Sequence, residues 1–274
     1  MLPNQQLLFG VPFDALRMEE VIFRCRNALV TRSQIMLGML NAAKIVNMRS
    51  DPLLRNSLME CDLLLADGQA IVWASKLLRH PLPERITGID LFENLLALAH
   101  AEGRSVYLLG ARPEILAALE TNLRARFDGL RIVGSHHGYF DPADSERIAT
   151  EIRDSSADML FIGMVSPKKE TFLAAFGERL GVPILHGVGG SFDIMAGLTK
   201  RAPLAWQRYG MEWAFRVLQE PRRLWRRYLS TNTAFILLTI KELVAPSRAI
   251  GKLKASARQA MSNAMGDDAP GPSR

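Results

Sequence analysis

The chain has 274 residues, of which 48% are hydrophobic and 23% charged; these are values of a folded globular chain and exclude wholesale disorder. Only two cysteines occur, Cys25 and Cys61, which excludes a disulfide-built scaffold and points to a reducing compartment. The net charge of +6 is uneven: residues 1–198 hold 20 basic and 23 acidic side chains, residues 199–245 hold 9 and 3, and residues 246–274 hold 5 and 2. A slightly acidic body therefore carries a basic C-terminal segment, which calls for an anionic partner such as phosphate groups, an anionic membrane face or nucleic acid.

The first ten residues have no basic run and no long apolar stretch, so no signal peptide is expected. No run of 18 apolar residues marks a spanning helix. Along the chain, short apolar runs predict strands over 34–40, 62–66, 105–110, 131–134, 158–163 and 183–187. Between them, spacing of three and four predicts helices over 69–78, 88–101, 113–127 and 144–155; in the second of these Ile89, Phe92, Leu95 and Leu96 form one stripe. Strands alternating with such helices predict an α/β fold, a Rossmann-like parallel sheet with helices on both faces. Ligands of such sheets bind beyond the carboxyl ends of the strands.

From Pro203 the pattern is helical only. Trp206, Tyr209, Trp213 and Phe215 are expected on one aromatic-rich helix. A short segment with four arginines follows over 222–228, and then a helix over 233–244 with an apolar centre at 234–240. The organisation expected is an α/β core over 1–198, a basic helical appendage over 199–245 and a disordered tail over 246–274. No internal repeat is present.

Four places could carry chemistry. Asp67 ends the apolar run 63–65, at the carboxyl end of a strand; it reads either as the N-cap of the helix that follows or as a general base. The run HGVGGSFD at 186–193 is a strand followed by a glycine-rich turn. Gly187, Gly189 and Gly190 would let the backbone approach a ligand closely, and Asp193 could accept hydrogen bonds from a nucleotide or cap a helix. The run matches neither a P-loop nor the G-x-G-x-x-G dinucleotide fingerprint, which disfavours a NAD enzyme. In SPKKE, at 166–170, Lys169 could meet an anion at a helix start or belong to a solvated cluster. Arg216, Arg222, Arg223, Arg226 and Arg227 repel one another unless an anion is near, and the guanidinium fork suits a diphosphate. No metal site is expected: His136 and His137 are adjacent and cannot both face one ion from a strand, and the cysteines lack ligand spacing.

Taken in order, LFGVPF (8–13), NA (41–42), LADG (65–68), ERITGID (84–90), GYF (138–140), GVGGSFD (187–193), RAP (201–203), EWAFR (212–216), EPRR (220–223) and RRYL (226–229) resemble the WecG/TagA/CpsF family, glycosyltransferase family 26, over roughly residues 7–240. The resemblance implies an inverting, metal-independent transferase without a cofactor. Such enzymes move a sugar from a UDP-sugar to a sugar on a polyprenyl (undecaprenyl) diphosphate, for exopolysaccharide, teichoic acid or common antigen. It implies a peripheral protein on the cytoplasmic, inner face of the plasma membrane, with no nucleic-acid partner; a homo-oligomer is left open. By matching motif, Asp67 is the base, with Asn41 and Arg85 in its pocket. Asp193, the glycine turn and Tyr139 fall at the nucleotide, and Arg216, Arg223 and Arg226 at the diphosphate. Two positions depart from the family pattern: Lys169 stands where a glutamine is common, and Met39 where a threonine is common. Two other readings remain: a UDP-sugar-binding protein without turnover, and a basic nucleic-acid-binding protein using Trp206, Tyr209, Trp213 and its arginines.

Overall fold

The computed structural model describes residues 4–247, except the side chains of Arg223 and Arg227. The tail expected over 246–274 lies almost wholly outside the described residues. In chain order the elements are β1 (Gln5–Leu8), β2 (Val11–Asp14), α1 (Met18–Thr31), β3 (Ile35–Leu40), α2 (Ala42–Asn47), α3 (Pro52–Met59), β4 (Leu63–Ala66), α4 (Gln69–Leu77), α5 (Gly88–Ala101), β5 (Ser105–Gly110), α6 (Pro113–Arg126) and β6 (Arg131–His136). They continue with α7 (Ser145–Asp154), β7 (Met159–Gly163), α8 (Lys168–Phe176), β8 (Ile184–Gly187), α9 (Ser191–Met195), α10 (Leu204–Arg208), α11 (Glu212–Gln219) and α12 (Pro221–Val244).

Six strands form one parallel sheet in the order β4-β3-β8-β7-β5-β6. The apolar alternation of its strands sends side chains to two separate cores. Met36, Leu40, Leu64, Leu109, Leu160 and Leu185 enter a core covered by α2, α3, α4, α7 and α8. Leu37, Leu65, Leu108, Phe161 and Ile184 enter a second, covered by α1, α5, α6 and α9. This is the expected Rossmann-like α/β fold with helices on both faces.

β1 and β2 form a separate antiparallel hairpin that the sequence reading leaves out. Its two-residue turn places Phe9 at φ 56 and Gly10 at φ 75, as a type I′ turn needs. The hairpin guards the edge of the sheet: Asp14 Oδ2 accepts from the backbone N–H of Leu64 on β4 at 2.8 Å, while Gln5 donates to Asp14 Oδ1. An exposed parallel edge would otherwise carry that N–H unpaired.

Two expectations for the C-terminal segment are corrected. The aromatic-rich stretch is two helices, α10 and α11, because Gly210 between them takes φ +67 and turns the chain. The arginine segment and the apolar segment after it are instead one 24-residue helix, α12, whose sequence past Pro221 contains no breaker. α12 packs on α2, and its Phe235 meets Phe9 of the hairpin with ring centroids 5.2 Å apart. No helix among the described residues is long and apolar enough to cross a membrane.

Candidate active site

The carboxyl ends of β4, β3, β8 and β7 open into one cleft of about 850 Å³. Asn41 follows β3, Asp67 follows β4, Gly187–Gly190 follow β8, and Met164–Pro167 follow β7; all line it, and α11 and α12 close its other side with Glu212, Trp213, Arg216 and Tyr228.

Asp67 is fixed by backbone on both sides. Its N–H continues the β-ladder to the Leu40 carbonyl at 2.8 Å, and its Oδ1 accepts from the Gly88 N–H at 2.9 Å, at the start of α5. Its Oδ2 makes no hydrogen bond among the described residues, so one carboxylate oxygen remains for a ligand. The N-cap reading of Asp67 is corrected: the cap of α4 is Gly68, which makes no side-chain bond, so the aspartate anchors the start of α5 instead. Asn41 caps α2, its Oδ1 accepting from Lys44 N at 3.1 Å, which leaves its amide N–H groups for the cleft. Gly68 sits against it; a Cβ there would meet Asn41 Cβ at 3.3 Å.

At the cleft Lys44 and Lys169 meet the carboxylate of Glu170, which lies just behind the lining; Lys169 and Glu170 are buried and Lys44 mostly so. Lys169 and Glu170 open α8, and Lys44 comes from α2. Lys44 Nζ lies 2.8 Å from Glu170 Oε1 and donates to the Met39 carbonyl; Lys169 Nζ lies 3.6 Å from the same carboxylate oxygen. Lys169 is 8% exposed. Burial first, and then the Lys44 ammonium, lowers its pKa to about 8, against the opposing pull of Glu170 and Asp67. Two lysines against one glutamate leave an excess positive charge beneath the glycine turn. That turn is shaped around Lys169: a Cβ at Gly187 would stand 2.9 Å from its stem, and Gly189, at φ +55, lies against its ammonium. The solvated-cluster reading therefore holds for Lys168, which is exposed, and fails for Lys169.

Behind the turn, His186 is wholly buried, with Nε2 3.2 Å from the Gly88 carbonyl and no hydrogen bond at Nδ1 among the described residues. Burial lowers its pKa to about 4, so the ring is neutral at neutral pH. It supports Gly88 at the start of α5, whose N–H holds Asp67, and does not line the cleft.

The cleft wall contributed by the C-terminal segment is latched by ions. Arg85 Nη1 meets Glu212 Oε2 of α11 at 2.8 Å, with both side chains mostly buried. Arg201 reaches Glu212 at 3.7 Å and pairs with Asp90 of α5. Gly210 presses on the first residue of α4: a Cβ there would fall 2.4 Å from Gln69.

The cleft thus gathers Asn41, Asp67, Arg85, Lys169, Gly187, Gly189, Gly190 and Arg216. Tyr139 and Asp193 are not among its lining residues. Tyr139 is an exposed ring beyond β6 with the Arg112 guanidinium 5.9 Å from its centroid, and Asp193 lies in the first turn of α9. Arg112 is raised above the ordinary arginine range, first by its hydrogen bond to Tyr139, with Asp193 a smaller cause; the three form a small group outside the cleft lining. Arg226 stacks on Trp225 on an exposed face away from the lining, and the side chain of Arg223 is outside the described residues. Sequence reasoning gave no role to Lys44, Glu170, Arg201 or Glu212. Lys44 stands three residues after Asn41, one helical turn away, which was a usable signal; the partners of Glu212 are 127 and 11 residues distant, beyond any local pattern.

No group of three or more His, Cys, Asp or Glu that could hold a metal occurs among the described residues. The chemistry available is that of a fixed carboxylate with one open oxygen, facing cationic side chains across a glycine turn. A model of the glycosyl transferase WecG/TagA/CpsF family matches residues 6–249. With that match spanning nearly all of the folded chain, the protein belongs to the WecG/TagA/CpsF family, the glycosyltransferases of cell-surface polysaccharide synthesis.

Proposed function

We propose that the protein transfers a hexose-type sugar, with inversion and without a metal ion, from a UDP-sugar to a sugar carried on a polyprenyl diphosphate. Asp67 carries this reading: it stands at the carboxyl end of β4, its Oδ1 is anchored by the Gly88 N–H, and its Oδ2 is left for a ligand in the cleft. That oxygen removes the proton from the acceptor hydroxyl. The hydroxyl oxygen bonds to the anomeric carbon as the bond to the UDP oxygen breaks on the opposite face, and UDP leaves with the electron pair. Negative charge builds on the diphosphate during this step. Lys169 and the Gly190 N–H supply compensation on one side, and Arg216 on the other. Asn41 and Arg85 hold the sugars beside Asp67; Tyr139 and Asp193 take the nucleoside at the rim.

Residues 199–245 act as an appendage that closes the cleft and meets the cytoplasmic face of the membrane. Its exposed Leu204, Tyr209, Leu218 and Leu229 alternate with exposed Arg208, Arg222 and Arg226, the composition of an interfacial surface.

The test is UDP release from a panel of UDP-sugars (glucose, glucuronate, N-acetylglucosamine, N-acetylmannosamine and its uronate), with and without a polyprenyl-diphosphate sugar, in EDTA. Release that requires the acceptor, survives EDTA and collapses in Asp67→Asn is the expected result. Release that requires an added divalent ion, or that persists in Asp67→Asn, overturns the mechanism.

A further inference from the structure

Three ionisable side chains share one buried place beneath the glycine turn, and their charges do not cancel. The Glu170 carboxylate stands between two ammoniums, with Lys44 Nζ 2.8 Å and Lys169 Nζ 3.6 Å from the same oxygen, Oε1. Lys44 is tied twice, since it also donates to the Met39 carbonyl near the end of β3 at 2.7 Å. Lys169 has the longer contact because its stem runs under the turn: a Cβ at Gly187 would stand 2.9 Å from its Cδ, and one at Gly189 3.4 Å from its Nζ. Both lysines line the cleft, whereas Glu170 does not. Glu170 Oε2 accepts no hydrogen bond among the described residues, so this carboxylate has room for a closer second partner.

One carboxylate cannot neutralise two buried ammoniums, and an uncompensated buried charge is costly. Which lysine Glu170 neutralises therefore decides what is left for a ligand, and the shorter, doubly tied contact gives Glu170 to Lys44. We propose that Lys44 and Glu170 are positioning residues for the phosphate end of the donor: their ion pair occupies the carboxylate and leaves the Lys169 charge beneath the turn for an anion in the cleft. The proposal rests on the phosphate role given to Lys169 above. Without Lys44, Lys169 would fall back onto Glu170 in a neutral one-to-one pair. Without Glu170, the two ammoniums would repel each other. The charged groups that face Lys169 are Lys44 from α2, Glu170 from α8 and Asp67 after β4. Cys61 and His186, also close by, are neutral at neutral pH, because burial pushes the thiol up to about 12 and the imidazole down to about 4. Removing Lys44 takes away a like charge, so Lys169 loses its proton at higher pH; removing Glu170 takes away an opposite charge, so it loses its proton at lower pH.

The experiment is calorimetric titration of UDP into the full chain across neutral and alkaline pH, for the wild type, Lys44→Met, Glu170→Gln and the double variant. Wild-type affinity is expected to weaken with a midpoint near 8. Lys44→Met is expected to bind roughly tenfold or more weakly at neutral pH and to move that midpoint up by about one pH unit. Glu170→Gln is expected to move it down by a similar amount while keeping wild-type affinity below its own midpoint. The double variant replaces the buried pair by neutral side chains of similar size, so it should fold. Its affinity is expected to return to within about threefold of wild type, with the midpoint restored, a non-additivity that a purely structural role would not produce. Should Lys44→Met not fold, the other two variants decide alone, by a lowered midpoint in Glu170→Gln and a restored one in the double variant. Midpoints that do not move, or that move in the same direction, overturn the proposal. So does a double variant as weak as Lys44→Met, which would make Lys44 a direct ligand of the diphosphate. Opposite shifts with no UDP release from any donor would keep the triad and remove the transferase mechanism; acceptor-dependent release with unmoved midpoints would do the reverse.

Discussion

At the scale of single residues, the proposed mechanism divides the chemistry between Asp67 and Lys169, and each gives a distinct readout. Asn at position 67 can still accept from the Gly88 N–H through its amide oxygen, so Asp67→Asn keeps the anchor and removes the base. Turnover is expected to fall by about 10²–10⁴, the usual worth of a general base, while UDP binding measured by calorimetry stays close to wild type. Lys169 acts on the other side of the same equation. Burial holds its pKa at about 8, and an anionic ligand binds the ammonium, not the amine. UDP affinity is therefore constant below pH 8 and weakens as pH rises above it; Lys169→Gln should lose roughly tenfold or more in affinity at neutral pH and give a flat profile. A wild-type profile already flat to pH 9.5 would remove Lys169 from the phosphate site. His186 makes a third case, on stability. Its folded pKa of about 4 lies below the ordinary histidine value, so the unfolded chain takes up the proton first. Stability is full above pH 6.5 and falls as pH drops toward 4, by up to about 3 kcal/mol from this group. His186→Phe should narrow the loss of Tm between pH 7 and 4.5 relative to wild type.

At the scale of elements, what was legible in the sequence was what local pattern encodes. Helix 88–101 and strand 105–110 coincide with α5 and β5 to the residue, because a capping threonine, a 3–4 apolar stripe and a continuous apolar run each state their own limits. The β1–β2 hairpin was illegible for the opposite reason. Its type I′ turn is made by Phe9-Gly10, and a buried phenylalanine at φ 56 is no turn signal; it is held there by its contact with Phe235, 226 residues away. The candidate site divides likewise. Asp67 and the glycine turn announced themselves at strand ends, whereas the Arg85–Glu212–Arg201 latch exists only once α11 folds back on α5. Gly210 sets that fold-back and allows a clean test. Gly210→Ala puts a side chain at φ +67 and 2.4 Å from Gln69, so α10 and α11 must lift from α4. Faster trypsin cleavage at Arg208 and Arg216 is expected, with transferase activity down by about tenfold or more and the main melting transition little changed, since the two cores are untouched. Unaltered proteolysis and activity would mean that the latch does not depend on this turn.

At the scale of the whole molecule, the net positive charge is concentrated in one segment of the chain, which also exposes large apolar side chains. The body over 1–198 has a slight negative excess and the segment over 199–245 a net of +6; the same segment exposes Leu204, Tyr209, Leu218, Leu229, Leu237 and Val244. A surface combining both features binds an anionic interface, with about 1 kcal/mol from each basic side chain near the headgroups and a strong dependence on salt. Flotation with vesicles containing anionic lipid is expected to carry the protein at low ionic strength and to release most of it at high ionic strength; protein that stays unbound at low ionic strength refutes the membrane assignment. Removing the segment is the wrong control. Phe235 and Leu224 are buried and Phe235 covers Phe9, so truncation at 199 would strip the hairpin's packing and the cleft wall together, and lost flotation would report unfolding. Leu204→Ser/Leu218→Ser touches only exposed side chains. It should float less than wild type at the same salt while UDP binding and Tm hold, and equal flotation of the two would place membrane contact on some other face.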